Sequence, residues 1–326
     1  MFRAIALVTI YLSLLANAPS NANAQSKPAF RVTLLGTGNP RPTTERSGPA
    51  ILVEAMTNPP TRILVDVGRG ATERLFTVGG RELLSGVDMV LLTHLHSDHV
   101  VGIPDLWLTG WIFGRAKPFV VRGPSGSAAM MAHLQKAFEF DVTMRRDLDE
   151  HLPAAGVEVD AKDIESDKVI VLNGVKITPF TVDHGIVKPA YGYRIDYAGK
   201  SVVLSGDTRY SENLITHAKS CDLLIHEVVV PEVERKLSLM RSPAATQRVI
   251  EHHTTPEECG RVFTAVKPKL AVYSHIVPSP ATAKDIVGPT RKTYAGPLVV
   301  GEDLMFFTVG AGVEMGQWRP GKSAPK

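Results

Sequence analysis

Metal-binding side chains are concentrated in one short stretch, "LLTHLHSDHV". His94, His96, Asp98 and His99 fall within six consecutive residues, directly after the apolar run Met89–Leu92. Imidazole and carboxylate ligands of this kind suit Zn²⁺, and Fe or Mn ions accept them as well. A histidine-rich surface loop is the alternative, but the H-x-H-x-D-H pattern after a buried strand favours a metal site. On an extended segment His94 and His96 share one side, whereas Asp98 and His99 begin the next helix and point to a second location.

The loop alone offers too few ligands to complete two coordination shells. Three more ligand-type residues follow apolar β runs downstream: His184 in "FTVDHG", Asp207 in "LSGDTRY" and His275 in "LAVYSHI". An alternative role for Asp207 is to cap a helix predicted over 211–219. Because three separate strands end in such residues, we predict that they join the loop in one metal site.

Short apolar runs punctuated by Gly, Pro and Asn indicate strands through most of the chain. The predicted strands are Phe30–Leu35, Ala50–Ala55, Arg62–Val67, Met89–Thr93, 191–197, 201–206, 222–226 and 269–274, with a hairpin over 169–182 that turns at Asn173–Gly174. The predicted helices are 71–78, 99–112, 126–139, 211–219 and 255–266. Strands and helices that mix along the whole length predict an α/β fold with two sheets covered by helices.

Length and composition limit the class of protein. The 326 residues are 44 % hydrophobic, which is enough for a large core. Residues 1–24 combine a charged start, an apolar run and the ending Ala22-Asn23-Ala24, which is the pattern of a secretory signal peptide. We therefore predict cleavage after Ala24, a single mature domain over 25–326, a periplasmic or secreted location and no stable membrane insertion. The net charge of +3 is too small to indicate nucleic acid.

The motifs resemble those of the metallo-β-lactamase superfamily, whose fold is an αββα four-layer sandwich. They are similar in particular to a ribonuclease Z-like branch that includes periplasmic arylsulfatases. The segments that carry the resemblance are "VTLLGTGNPRP", "ILVDVGRGA", the six-residue histidine loop, "DHGIVKPAYGYRI", "SGDTRY", "LLIHEVV" and "HTTPEECGRVFTAVKPKLAVYSH". The likeness covers roughly residues 30–310.

The resemblance implies two divalent metal ions, for which Zn²⁺ is the first expectation and Mn or Fe the alternatives. Its ligand assignment gives His94, His96 and His184 to one ion, Asp98, His99 and His275 to the other, and Asp207 to both as a bridge. Two cations about 3.5–4 Å apart lower the pKa of a shared water and neutralise charge that develops on the reacting group. Asp66 in "LVDVGRG" is expected to orient a ligand rather than to bind metal.

The resemblance also implies a proton donor for the leaving group, His253 supported by Glu227, while His252 is one position away from the expected spacing. Such an acid contributes about 10²–10⁴-fold to a hydrolysis rate. The alternative is an exposed histidine pair at the start of a helix capped by Thr254 or Thr255. We count Asp98 with His253 and Glu227 as catalytic, in addition to its place among the metal ligands.

The function expected from these features is hydrolysis of a small-molecule ester by a hydroxide that bridges the metals, with a sulfate or phosphate ester as substrate, as in an arylsulfatase. A β-lactamase or lactonase is one alternative. Another is a ribonuclease Z that processes tRNA 3′ ends. The tRNA-processing relatives carry a long Gly/Pro-rich arm where this chain has only the nine residues Asp196–Leu204, and with the signal peptide this argues against nucleic acid as a partner. A non-catalytic binding protein is the alternative from another class.

Several features leave two interpretations open. Trp107, Trp111 and Phe113, with Arg115 beside them, form either an apolar substrate wall or part of the core. Residues 231–251 are either a lid over the site or a surface connector. Cys221 and Cys259 either pair or remain buried free thiols. The sequence is also compatible with a homodimer.

Overall fold

The computed structural model of the protein describes residues 27–237 and 242–319. Its strands form two sheets, one of eight strands and one of seven. The signal peptide expected over 1–24 lies outside the described residues, so secretion stays a prediction. Within the described residues no helix is both long and apolar enough to cross a membrane.

The first sheet contains strands from both ends of the domain. Its order is β15-β14-β1-β2-β3-β4-β5-β6. The strands are β1 Phe30–Gly36, β2 Ala50–Ala55, β3 Thr61–Val65, β4 Met89–Leu91, β5 Phe119–Gly123, β6 Val159–Asp163, β14 Met305–Val309 and β15 Val313–Gln317. Strands β3 to β6 run parallel to one another. The carboxyl ends of β3 and β4 therefore lie at one edge, where the histidine loop begins.

The second sheet has the order β13-β12-β11-β10-β9-β8-β7. Its strands are β7 Ile170–Leu172, β8 Val175–Thr181, β9 Tyr191–Tyr197, β10 Lys200–Leu204, β11 Leu223–Val229, β12 Leu270–Val277 and β13 Leu298–Val300. Strands β10 to β13 are parallel, so their carboxyl ends also share an edge. A two-residue turn, Ala198–Gly199, joins β9 to β10, and both residues have positive φ as a tight hairpin turn requires.

Helices cover the outer face of each sheet. They are α1 Ala71–Gly86, α2 Ser97–Val100, α3 Ile103–Ile112, α4 Ser127–Ala137, α5 Glu139–Thr143, a π-helical turn Met144–Leu148, α6 Ala154–Val157, α7 Glu212–Ala218, α8 Pro231–Leu237, α9 Pro243–Glu251, α10 Pro256–Val266 and α11 Ala283–Thr290. One apolar cluster lies between the sheets, and one lies between each sheet and its helices. This layering confirms the predicted αββα sandwich.

Some predicted boundaries are wrong for local physical reasons. The helix predicted over 99–112 is divided by Val101–Gly102, because Gly102 packs its Cα against the backbone of Val67 and Gly68. The helix predicted over 71–78 continues to Gly86 through a kink at Gly79–Gly80. The prediction omitted β5, β6 and the last three strands, whose apolar runs are short.

Two of the three aromatic residues after the histidine loop belong to the core, and Phe113 is 37 % exposed. Trp107 and Trp111 are buried, and their indole N–H groups donate to the carbonyls of Val157 and Pro153 at 3.0 and 2.9 Å. Arg115 is buried beside them and donates to backbone carbonyls, and burial lowers its pKa to about 10. The substrate-wall interpretation of this segment is therefore wrong.

Both cysteine thiols, Cys221 and Cys259, are buried and free. Burial raises the pKa of the Cys221 thiol to about 12 and that of Cys259 well above its usual value. Neither thiol is therefore reactive at neutral pH.

A candidate metal centre at the seam of the two sheets

Seven histidine and aspartate side chains from both sheets meet at the sheet edge. His94, His96, Asp98 and His99 lie after β4 in the first sheet. His184 follows β8, Asp207 follows β10, and His275 lies in β12, all in the second sheet. The structure therefore brings together every residue that the sequence assigned to the two ions. Their ligand atoms form two neighbouring groups that match the predicted assignment, and a third group, Asp207, His253 and His275, overlaps them.

The first group consists of His94, His96, His184 and Asp207, with ligand atoms within 4.8 Å of one another. His96 Nδ1 lies 2.9 Å from His94 Nε2 and 3.3 Å from His184 Nε2. Asp207 Oδ2 is 3.8 Å from His94 Nε2 and 3.9 Å from His184 Nε2. Ligands at 2.0–2.1 Å around a tetrahedral Zn²⁺ stand about 3.4 Å apart, which these spacings approach.

The second group consists of Asp98, His99 and His275. Asp98 Oδ2 lies 3.6 Å from His99 Nε2 and 3.3 Å from His275 Nε2. The Oδ2 atom of Asp207 is 3.4 Å from each of these nitrogens. One carboxylate oxygen therefore faces both groups, as a bridging ligand would.

The unpaired polar atoms at this edge fit metal ions. His99 Nε2 and Asp207 Oδ1 are buried and have no hydrogen-bond partner among the described residues. Buried polar atoms without partners are rare, because each costs about 1–3 kcal/mol. His94 Nε2 and His96 Nδ1 face each other at 2.9 Å, where one cation could serve both lone pairs. The residues present therefore fit two ions of the Zn²⁺ type.

Burial and the attraction between members of the cluster set the pKa values of its groups. Burial lowers the pKa of His94 well below its usual value and that of His184 to about 4, which keeps both rings neutral as ligands must be. Burial opposes charge on Asp207 and His99 as well, yet attraction to His275 and His99 lowers the pKa of Asp207, and attraction to Asp207 raises that of His99.

Each of three ligand rings has a fixed partner for its other nitrogen. Thr93 Oγ1 lies 3.1 Å from His94 Nδ1, Asp66 Oδ2 lies 2.8 Å from His99 Nδ1, and His184 Nδ1 donates to the carbonyl of His252 at 2.9 Å. Such contacts fix the ring orientation and increase its basicity as a ligand.

Asp66 is held in an unusual backbone conformation, with φ of 59°. Both of its oxygens also accept from Thr93, at 2.8 Å from the amide and 2.8 Å from the hydroxyl. Asp66 therefore lies behind His99 rather than among the ligand atoms, which is the position expected for a residue that orients a ligand.

We expect Asp66→Asn to weaken metal binding by about 10–100-fold, because the amide cannot support His99 as a carboxylate does. Competition with a chromogenic chelator measures this affinity. Asp88→Asn, which removes a carboxylate at the other end of α1, serves as the matched control. Equal affinity in wild type and Asp66→Asn would show that the contact does not tune the site.

His253 and Glu227 lie directly beside the metal ligands. Glu227 Oε2 is 3.1 Å from His253 Nδ1, and Glu227 Oε1 accepts from the amide of Thr254 at 2.8 Å. Burial raises the pKa of Glu227 well above its usual value and lowers that of His253 to about 4. Both pKa shifts favour the uncharged forms of the two groups. In that state the carboxyl of Glu227 is protonated and shares this proton with Nδ1 of the neutral imidazole of His253. The alternative of an exposed histidine pair is wrong for His253, whose side chain is 9 % exposed.

The alternative role of Asp207 as a helix cap is wrong, and the predicted end of one strand is misplaced. Ser211 caps α7, because its hydroxyl accepts from the amide of Leu214. His275 does not end its strand: it lies inside β12 at φ 45°, where the register with β11 shifts. That left-handed turn rotates the ring of His275 out of the sheet toward Asp207.

A cavity of about 140 Å³ opens onto the metal groups. Its walls include Asn39 and Arg41 from the loop after β1, His252 before α10, and Glu234 and Val249 from α8 and α9. Glu234 and Val249 of the segment 231–251 therefore line the site, and residues 238–241 of that segment lie outside the described residues. The sequence interpretation did not assign Asn39 or Arg41 to the site, although both lie in the "GTGNPRP" motif. It also did not assign the backbone carbonyl of His252, for which the sequence has no signal.

A four-layer sandwich with this His/Asp cluster at its sheet edge defines the class of metallo-β-lactamase fold proteins. The family model described as the β-lactamase superfamily domain matches residues 61–276. The chain belongs to this superfamily, which confirms the resemblance seen in the motifs.

Curated relatives and solved structures are similar over most of the chain. A ribonuclease Z of Mycolicibacterium gilvum is 32 % identical over 290 residues, which cover 87 % of this chain and 98 % of the relative. A ribonuclease Z of Mycobacterium avium is 32 % identical over 84 % of this chain and 96 % of its own length. Human short-form tRNase Z superposes with a TM-score of 0.60 at 20 % identity, covering 86 % of this chain and 99 % of its own. A metallo-β-lactamase fold protein of Bacillus subtilis has a TM-score of 0.63 at 18 % identity, with coverage of 88 % and 99 %.

These relatives correct two predictions. The arylsulfatase-like expectation for the substrate is wrong, because the similar curated proteins are named ribonuclease Z. The expectation that nucleic acid is not a partner is wrong for the same reason. The short β9–β10 turn was given too much weight as an argument against RNA. The alignment with the Mycolicibacterium gilvum protein is 290 positions long and covers 87 % of this chain of 326 residues, which is about 284 residues. The two aligned lengths are nearly equal, so that relative has no long arm inserted relative to this chain.

Proposed function

We propose that this protein is a metal-dependent phosphodiesterase of the ribonuclease Z type that cleaves RNA. The observation that carries the proposal is the convergence of six donor side chains around Asp207, with the His253–Glu227 pair beside them, in a chain that matches ribonuclease Z relatives over most of its length. Zn²⁺ is the ion we propose, because imidazole and carboxylate donors at these spacings suit it.

His94, His96 and His184 would hold one ion, Asp98, His99 and His275 the other, and Asp207 both. When bound, such a pair of ions activates a water at neutral pH and neutralises negative charge that develops on a phosphoryl group. The contribution of the chain is to hold these donors rigidly. Asp66, Thr93 and the carbonyl of His252 fix the rings, so little reorganisation is needed as the reaction proceeds.

Hydrolysis breaks the bond from phosphorus to the leaving oxygen, and this oxygen needs a proton. His253 lines the cavity, and its Nδ1 contacts Glu227, so its Nε2–H is the group that donates to the leaving oxygen. Glu227 then passes its own proton to Nδ1. The net result is a neutral alcohol, a phosphate monoester and a deprotonated Glu227, which solvent reprotonates.

Cleavage assays with the purified mature protein test this proposal. We expect cleavage of a precursor tRNA with a 3′ trailer and of bis-p-nitrophenyl phosphate, with both activities lost after chelation and restored by Zn²⁺. A sulfate ester and a β-lactam serve as substrates from the other reaction classes. Turnover of either one, without RNA cleavage at any metal content, would contradict the proposal.

A further inference from the structure

The cavity is buried at the metal groups and exposed at Arg41. Its volume is about 140 Å³, and the lining residues Asp98, Asp207 and His275 are buried. Arg41 lines the same cavity with an exposed side chain. A scissile phosphate that reaches the metal groups therefore lies deeper than Arg41, and the next phosphate of an RNA chain lies nearer to the exposed rim.

One side chain supplies a permanent positive charge to the cavity lining. Asp98 and Asp207 are the lining carboxylates among the metal-binding groups, and bound ions would compensate their charge. Among the lining residues in the described part of the chain, Arg41 is the one arginine or lysine.

Arg41 is attached firmly to the metal site. The side chain of Asn39 donates to the carbonyl of Ile276, next to His275, at 2.5 Å, and its Oδ1 accepts from the amide of Arg41 at 2.9 Å. The Nη2 atom of Arg41 donates to the carbonyl of Leu237 at the end of α8, at 3.1 Å. A guanidinium has several N–H donors, so this contact leaves other donors on a side chain that lines the cavity.

We propose that Arg41 binds the phosphate adjacent to the scissile one and thereby selects RNA chains over isolated phosphodiesters. This inference rests on the proposed ribonuclease function. A guanidinium can form paired hydrogen bonds with phosphate oxygens, and such contacts position the chain without regard to base sequence. Arg41 is a specificity residue here and takes no part in breaking the bond.

The test compares a single phosphodiester with a short RNA of two linkages. Bis-p-nitrophenyl phosphate has no neighbouring phosphate, whereas UpUpU has one. In two further trinucleotides one of the two linkages is a neutral methylphosphonate, at the first position in one and at the second in the other. The enzyme can cleave only the remaining phosphodiester, and the linkage next to it carries no charge. The kcat/KM of each substrate is measured with the metal-loaded wild type and with Arg41→Gln, Arg41→Lys and Arg146→Gln.

We expect Arg41→Gln to lower kcat/KM for UpUpU about tenfold, the usual order for a charge-assisted hydrogen bond that is partly exposed. Its turnover of bis-p-nitrophenyl phosphate should equal that of wild type, which also shows that the variant folds and binds metal. The kcat/KM of wild type should be about tenfold lower on one of the methylphosphonate trinucleotides than on UpUpU. The kcat/KM of Arg41→Gln should be the same on that analogue and on UpUpU. Arg41→Lys should retain part of the rate, and Arg146→Gln, on the π-helical turn remote from the cavity lining, should match wild type.

Two results overturn the inference in different ways. If wild type and Arg41→Gln cleave UpUpU equally, or if both discriminate against the methylphosphonate, Arg41 does not read the neighbouring phosphate although the ribonuclease function stands. If wild type cleaves bis-p-nitrophenyl phosphate but neither UpUpU nor a longer RNA, the proposed function itself fails, and the role of Arg41 fails with it.

Discussion

Asp207→Asn is expected to abolish turnover, with a loss of about 10³-fold or more. Asp207 Oδ2 approaches both donor groups, at 3.4 Å from His99 and His275 and at 3.8 Å from His94. An amide keeps the shape but carries no charge. It therefore neither offsets the repulsion between two close cations nor binds both of them. We expect the purified variant to hold about one ion per chain or fewer, where wild type holds two.

Metal content by atomic emission spectroscopy and kcat on bis-p-nitrophenyl phosphate measure these effects together. Asp222→Asn is the matched control: Asp222 is also buried in the second sheet, but its carboxylate pairs with Lys269 at 2.7 Å, away from the metal groups. That variant should lose stability and keep its metal. If Asp207→Asn retained two ions and wild-type turnover, the bridging role would be excluded.

His253→Ala is expected to slow hydrolysis by about 10²–10⁴-fold when the leaving group is a poor one, as in RNA, because no acid remains to protonate the departing oxygen. With p-nitrophenolate, which leaves without a proton, the loss should be much smaller. Metal content should equal that of wild type, since the assigned ligand set does not include His253. The dependence of rate on leaving-group pKa, measured over a series of aryl and alkyl phosphodiesters, should therefore be steeper in the variant.

The neighbouring histidine provides the control for this experiment. His252 contributes its backbone carbonyl to His184, and His252→Ala keeps that carbonyl while removing the ring. We expect a far smaller loss with His252→Ala than with His253→Ala, and the slope of rate against leaving-group pKa should be unchanged. Glu227→Gln should resemble His253→Ala, because Gln cannot pass a proton to the imidazole. A His253→Ala variant that cleaves RNA as fast as wild type would rule out the proton-donor role.

Much of the centre could be predicted from sequence because its residues follow strands. Asp98 and His99 lie on α2 just after β4. His184 and Asp207 follow β8 and β10, which both run antiparallel to β9 and so end at the same edge of the second sheet. His275 was found by the same rule although it lies within β12. Its position depends on a φ of 45°, and no sequence pattern indicates a left-handed turn at a histidine.

Other features of the site and the core depend on contacts between residues far apart in the sequence, which local residue patterns do not indicate. The tie from Asn39 to the carbonyl of Ile276 joins residues that are 237 positions apart. Burial of Trp107 and Trp111 depends on the carbonyls of Val157 and Pro153 in a region without strong periodicity. The substrate class was mistaken because the absence of an arm was taken as a property that excludes RNA. The donor atoms that carry out the chemistry are independent of such an arm.

The division of the donors between two sheets has a further consequence. The first sheet supplies His94, His96, Asp98 and His99, and the second supplies His184, Asp207 and His275, so neither sheet alone completes either group. Ions that bind only when the sheets are packed together favour that packing by mass action. Bound ions at this centre would therefore stabilise the packing of the two sheets against each other. Enzymatic activity would then also indicate that the two sheets are correctly packed.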